Sequence, residues 1–184
     1  MQSAQLVIPV SDRDHSIGPS SAPVTLVEYG DFECPYCRRA HPIVQRVRRS
    51  MDDRVRFVFR HFPLSEAHPH AQRAAEAAEA AAAQGRFWEM HDILFNNQDA
   101  LEDEDLVMYA ARIGIDAQRV ARELAAGAYE KKVREDFRGG IRSGVNGTPT
   151  FFINGSRYDG NWEDAELFVM VLGEAATQVH IGAP

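Results

Sequence analysis

The chain of 184 residues holds two cysteines, Cys34 and Cys37, and no others. That scarcity excludes a framework of structural disulfides, which needs more cysteines at wider spacings. It also excludes a zinc site of paired cysteines, because no second pair exists to complete four ligands. No stretch approaches the ~20 consecutive apolar residues of a membrane-spanning helix. A surplus of positive charge is missing too: 20 Lys and Arg against 27 Asp and Glu leave −7, whereas general nucleic-acid binding wants a basic face. Lysine is confined to Lys131 and Lys132, a bias from which no function follows. Repeats and a dividing linker are absent, so residues 1–184 read as a single domain. Residues 1–16 lack a secretion signal, since Met1-Gln2-Ser3 brings no positive charge and Leu6-Val7-Ile8 is too short for the apolar stretch. Taken as written, the expected location is cytoplasmic; it is periplasmic or extracytoplasmic if a leader has been removed.

What is present is an ordinary globular composition, 45% hydrophobic and 26% charged, which argues against disorder. Pro23 to Tyr29 is a short β-rich run suited to a buried central strand. Gly30 to Glu33 turns the chain into Cys34-Pro35-Tyr36-Cys37. Arg38 to Ser50 reads as a helix with Ile43, Val44 and Val47 on one face and Arg46, Arg48 and Arg49 on the wet face. Pro35 stands where a first-turn proline belongs, and Pro42 predicts a kink. Arg54 to Phe59 alternates as a second strand, and strand, helix, strand in this order implies a right-handed parallel crossover. From Ser65 to about Arg142 the texture is helical, beginning with the alanine-rich run Ala71 to Ala83. Further helices are expected over Phe87 to Phe95, Leu106 to Ile113, Ala117 to Leu124 and Tyr129 to Ile141. Thr150 to Ile153 returns to strand, Asn154-Gly155 signals a two-residue hairpin into Ser156-Arg157-Tyr158, and Asn161 to Gln178 closes as a helix with an Asn or Asp cap. The layout β-α-β … β-β-α predicts an α/β thioredoxin-like fold, its core at about 22–62 and 145–178, with a helical subdomain inserted at about 65–142.

Thiol–disulfide exchange needs a thiolate to attack and a second thiol to resolve the mixed disulfide. Two intervening residues allow that closure at a helix start. The unpaired N–H groups there stabilise a thiolate, so Cys34 is the expected nucleophile and Cys37, one turn in, the resolving thiol. Gly147-Thr148-Pro149-Thr150 stands immediately before the third strand, where a proline is tolerated and a trans bond is the default.

Cys34-Pro35-Tyr36-Cys37, the mid-helix Pro42, Thr148-Pro149 before a hairpin and the Phe87-Trp88-Glu89-Met90-His91 run together resemble the DsbA-like family of bacterial thioredoxin-fold oxidoreductases, over about Pro23 to Gln178. The resemblance implies that Pro149 is cis and lies beside the cysteines, with Thr148, Pro149, Pro35 and Tyr36 meeting substrate. It implies that Glu28, six positions before Cys34, is a buried proton acceptor for the resolving thiol. It further implies protein or peptide thiols and disulfides as substrates, a separate redox partner, and no cofactor. The Pro-Tyr dipeptide departs from the family's strongly oxidising periplasmic members, which carry Pro-His, and is typical of glutaredoxins; glutaredoxins lack an insertion of this length.

Other candidates weigh less. His61 follows the second strand and reads as structural or solvated. His68-Pro69-His70 lacks a third ligand in sequence, so no metal site is expected. Phe87 and Trp88 read as packing residues. Three competing functions stay open: a glutathione-coupled reductase, a Cu(I)-binding module using both thiolates, and an isomerase acting on small molecules.

Overall fold

A computed structural model of the chain describes residues 4–181, with side chains through residue 177. Met1, Gln2 and Ser3, on which the leader reading partly rests, lie outside the described residues, as do the last three residues of the 1–184 span. The chain forms two compact units, Met1–Tyr29, Arg39–Arg60 and Gly139–Pro184 in the first, Gly30–Arg38 and His61–Arg138 in the second. The cysteine segment groups with the helices of the second unit.

The first unit is built on a five-stranded sheet. Its strands are β1 (His15–Ile17), β2 (Val24–Gly30), β3 (Val55–His61), β4 (Thr150–Ile153) and β5 (Ser156–Tyr158), in the order β1-β3-β2-β4-β5. Apolar residues run almost without interruption along β2, and Val24, Leu26, Val27 and Tyr29 are all buried. Such a strand belongs at a sheet centre covered on both faces. β2 and β3 are neighbours joined by helix α1 (Pro35–Met51), and β4 pairs antiparallel with β2 so that Glu28 faces Phe151 and Tyr29 faces Thr150. The β4–β5 turn has φ of 48° at Asn154 and 85° at Gly155, the left-handed pair that a tight hairpin asks of its central residues.

Some elements differ from the sequence reading. α1 starts at Pro35, the proline expected in its first turn, rather than at Arg38, and runs through Pro42 as expected. The closing helix α7 (Ala165–Ile181) begins four residues after Asn161, because Asp164 rather than Asn161 caps it. Asp164 Oδ1 accepts from the N–H groups of Glu166 and Leu167 at 3.1 Å each, while Asn161 Oδ1 accepts from Glu163 in the preceding turn. β1 was not expected, since three residues are too few to show a period. It pairs with β3 through Ser16 opposite Val58.

The segment around β1 is held by a buried cation. Arg60, 3% exposed, donates to Asp14 at 2.7 and 3.0 Å, to the carbonyls of Ile8 and Pro9, and to the Tyr29 hydroxyl. Burial works against its charge, but the hydrogen bond to Asp14 and the neighbouring Tyr29 hold its pKa above the ordinary value. Removing one partner of such a pair leaves a charge buried without its counter-ion. Asp14→Ala is therefore expected to cost about 3–5 kcal/mol of unfolding free energy, read from the urea midpoint at constant slope. A loss under about 1 kcal/mol would show the pair to be incidental.

The second unit holds α2 (Ala71–Ala82), α3 (Phe87–Asn96), α4 (Asp103–Arg112), α5 (Ala117–Ala125) and the start of α6 (Glu130–Arg142). α2 is its axis: Ala71, Ala74, Ala75, Ala77, Ala78, Ala80 and Ala81 are all buried, and the helix packs against α3, α4 and α5. Methyl side chains let three helices approach one, and alanine has the highest helix propensity. Gly85, at φ 75°, ends the helix, with Arg86 N–H donating back to the Ala81 carbonyl at 2.9 Å, the left-handed stop that glycine adopts most readily.

Candidate active site

The segment Gly30–Arg38 carries β2 into α1. Arg38 N–H donates to the Cys34 carbonyl at 3.1 Å, so the first helical turn opens on Cys34, with Pro35 as the first helical residue. A missing N–H costs nothing there. Cys37 lies one turn in and is fully buried, Cys34 is 3% exposed, and Pro35 and Tyr36 stand out from the surface, Tyr36 by 54%. Both sulfur-bearing residues are therefore nearly covered, while the dipeptide between them is exposed.

Asp31, Phe32, Glu33, His68, His70 and Gln98 fix this segment, and none of them was named as a site residue from the sequence. Asp31, 1% exposed, accepts from Glu33 N–H at 2.8 Å and Leu64 N–H at 2.9 Å. Its own N–H points at Cys37 Sγ, 3.5 Å away, and its carbonyl accepts from Cys34 N–H at 3.2 Å. His68 Nδ1 meets Asp31 Oδ2 at 2.7 Å. His70 Nδ1 lies 2.8 Å from Glu33 Oε1 and its Nε2 lies 3.1 Å from Glu102 Oε1, while its main-chain N–H donates to Glu33 Oε2 at 2.7 Å. Gln98, just beyond α3, donates to the carbonyls of Phe32 and Cys34 at 2.7 and 3.0 Å. Phe32 anchors the segment in the helical unit, its ring 4.9 Å from Phe95 and 5.7 Å from His91.

Each imidazole of His68-Pro69-His70 is thus engaged by a carboxylate of the cysteine segment. Burial works to lower the His68 pKa, but the hydrogen bond to Asp31 and the charges of Asp31, Cys34 and Glu33 raise it above its ordinary value. The hydrogen bond to Glu33 raises that of His70, against a smaller effect of burial. A signal for this pairing exists in the sequence: Asp31-x-Glu33 and His68-x-His70 are acids and imidazoles at the same spacing.

The remaining expected site residues belong to the first unit. Glu28 is 2% exposed on β2. The Thr148–Pro149 peptide bond is cis, immediately before β4, and Thr150 Oγ1 donates to the Gly147 carbonyl at 2.7 Å across it. His61 packs in the second unit, with Nε2 2.8 Å from Glu79 Oε1. Phe87 is buried, and Trp88 stands edge-on to it with centroids 5.0 Å apart.

A central strand, a cysteine pair opening the following helix and a hairpin introduced by proline define the thioredoxin class. The family model described as Thioredoxin matches residues 11–172, and the chain belongs to that family. Its fold is that of the DsbA-like proteins. The Wolbachia pipientis alpha-DsbA1 structure superposes with a TM-score of 0.81 at 20% identity, covering 96% of each chain. A thioredoxin-like oxidoreductase from Silicibacter pomeroyi DSS-3 gives 0.77 at 28% identity, covering 94% of this chain and 95% of that one. Among curated proteins, the Na(+)/H(+) antiporter NhaA 1 of Salinispora arenicola is 49% identical over 167 residues, which make up 90% of this chain and 26% of the antiporter. The chain spans about a quarter of the curated relatives it matches.

Proposed function

We propose that the chain exchanges disulfides with protein or peptide thiols through Cys34 and Cys37. The observation that carries this reading is the placement of Cys34 at the carbonyl that opens α1, with Cys37 buried one turn in. In the reducing direction the Cys34 thiolate attacks a substrate disulfide, forms a mixed disulfide and releases one substrate thiolate. Cys37, losing its proton, then attacks Cys34 Sγ and expels the second. Two electrons pass from the pair to the substrate, and the reverse sequence oxidises a dithiol. The two sulfurs carry both electrons, so the reading invokes no cofactor. Exposed Pro35 and Tyr36, with Thr148 and Pro149, are the proposed substrate-facing residues, and Glu28 the proposed proton acceptor for Cys37.

The names of the antiporter relatives state an ion transport that is not proposed for this chain. No helix among the described residues is long and apolar enough to cross a membrane, and the matched region is about a quarter of each antiporter. A glutathione-coupled reductase remains the alternative within the same chemistry.

The reading is tested by insulin reduction with a thiol donor, together with the reduction potential of the pair against glutathione. Turnover that depends on both cysteines is expected. Tyr36 brings at most one hydrogen bond to the thiolate where a histidine brings charge, so the potential is expected between roughly −270 mV and roughly −120 mV, the values of thioredoxin and of DsbA. Copper bound at one Cu(I) per chain, with no turnover, would replace the enzyme by a metal-binding module.

A further inference from the structure

We propose that His68, acting through Asp31, tunes the acidity of the cysteine pair and couples its reduction potential to pH. The inference rests on the exchange reading above and assigns to His68 a positioning role at that site. It starts from a buried carboxylate in an unfavourable place. Asp31 is 1% exposed and is tied at its main chain to both cysteines, through Cys34 N–H to its carbonyl and its own N–H to Cys37 Sγ. A negative charge there opposes ionisation of either thiol. His68, in the loop between β3 and α2, stands against Asp31 at 2.7 Å with a side chain 18% exposed. When protonated it neutralises the carboxylate and places a positive charge near the thiolate, the charge that the Pro-Tyr dipeptide lacks.

The groups that face His68 are Asp31, Glu33 and Cys34 of the cysteine segment. His70 does not compete for Asp31, because its two nitrogens are taken by Glu33 and Glu102. The coupling is reciprocal. A Cys34 thiolate, present in the reduced form and absent in the disulfide, favours the imidazolium. The reduced protein therefore holds the His68 proton to higher pH than the oxidised protein. As pH rises through that titration the positive charge is lost, the thiolate loses its stabilisation, and the pair becomes a weaker oxidant.

Two measurements test this on the whole chain. The first needs no substitution: the His68 ring is titrated by NMR in the oxidised and reduced wild-type protein, and a midpoint higher by about one unit is expected in the reduced form. Equal midpoints in the two states overturn the proposal. The second compares His68→Asn, which keeps a donor near Asp31 without charge. It is expected to lower the acidity of Cys34 about tenfold and the glutathione equilibrium constant about tenfold, or about 30 mV toward the reducing side. The potential of this variant should also fall less steeply with pH than that of the wild type. In an Asp31→Asn background the same substitution should lose at least half of its effect. An effect of undiminished size there, or none in the Asp31 background, overturns the route through Asp31. Absence of any exchange by the wild type would instead overturn the proposed function itself, and the tuning role with it.

Discussion

Cys34→Ser is expected to reduce insulin turnover to the background rate of the added thiol, a loss of at least about 10³-fold. The size follows from the chemistry, since a serine hydroxyl neither attacks a disulfide nor leaves from one. Cys37→Ser should behave differently. First attack by Cys34 survives, resolution does not, and mixed disulfides with substrate accumulate and can be isolated by non-reducing electrophoresis. In that background the alkylation rate of Cys34 against pH reports its acidity. The first-turn N–H groups of α1 favour the thiolate, so the midpoint should fall from the free-thiol value of ~8.5 into the range of roughly 3.5–7.5. The cysteine segment is also fixed from outside the helix, by Gln98 on the Phe32 and Cys34 carbonyls and by Asp31 on Glu33 N–H. That support keeps the helix start in place while one sulfur is in a mixed disulfide. A midpoint at or above ~8.5, or mixed disulfides accumulating on Cys34→Ser instead, would reverse the assignment of nucleophile and resolver.

Much of this was legible in the sequence where local signals act alone. The β2 run of apolar residues, the alanines of α2 and the Asn154-Gly155 turn each carry a period or a backbone preference strong enough to be read without tertiary contacts. The cysteine pair was legible because its two-residue spacing between a strand and a helix is visible without tertiary contacts. Less was visible where the partner lies far along the chain. Asp31 looks like a turn residue until Leu64 and His68 arrive on it from more than thirty positions away. Gln98 reads as an ordinary loop amide, and only the fold reveals that it holds carbonyls at the cysteines. Arg60 lies just past the Arg54 to Phe59 run read as a strand and carries no local sign of burial, yet it is buried, because Asp14 and two carbonyls of the N-terminal segment satisfy it. β1 is another case of the same kind: three residues become a strand only because β3 offers its edge.

Glu28→Gln is expected to slow release of substrate from the mixed disulfide by roughly 10²-fold, leaving the first attack by Cys34 nearly unchanged. The resolving step requires Cys37 to lose a proton as its sulfur attacks. Cys37 is fully buried, so water is a poor acceptor and a general base has most to offer at that point. Glu28 is 2% exposed in a strand whose other inward residues are apolar. A carboxylate kept from water favours its neutral form, and such a group can accept and return a proton near neutral pH where an exposed one stays ionised. Glutamine preserves shape and hydrogen-bonding atoms but cannot take the proton. The attacking sulfur of the first step is already a thiolate and needs no base, and this separates the two effects. Rapid-quench measurement of a mixed disulfide with a cysteine-containing peptide resolves its formation from its decay, and an unchanged urea midpoint shows that the fold is intact. Slower decay with unchanged formation supports the role. Both steps unchanged would leave Glu28 as a core carboxylate, and both slowed alike would place its effect on the geometry of the pair rather than on the proton.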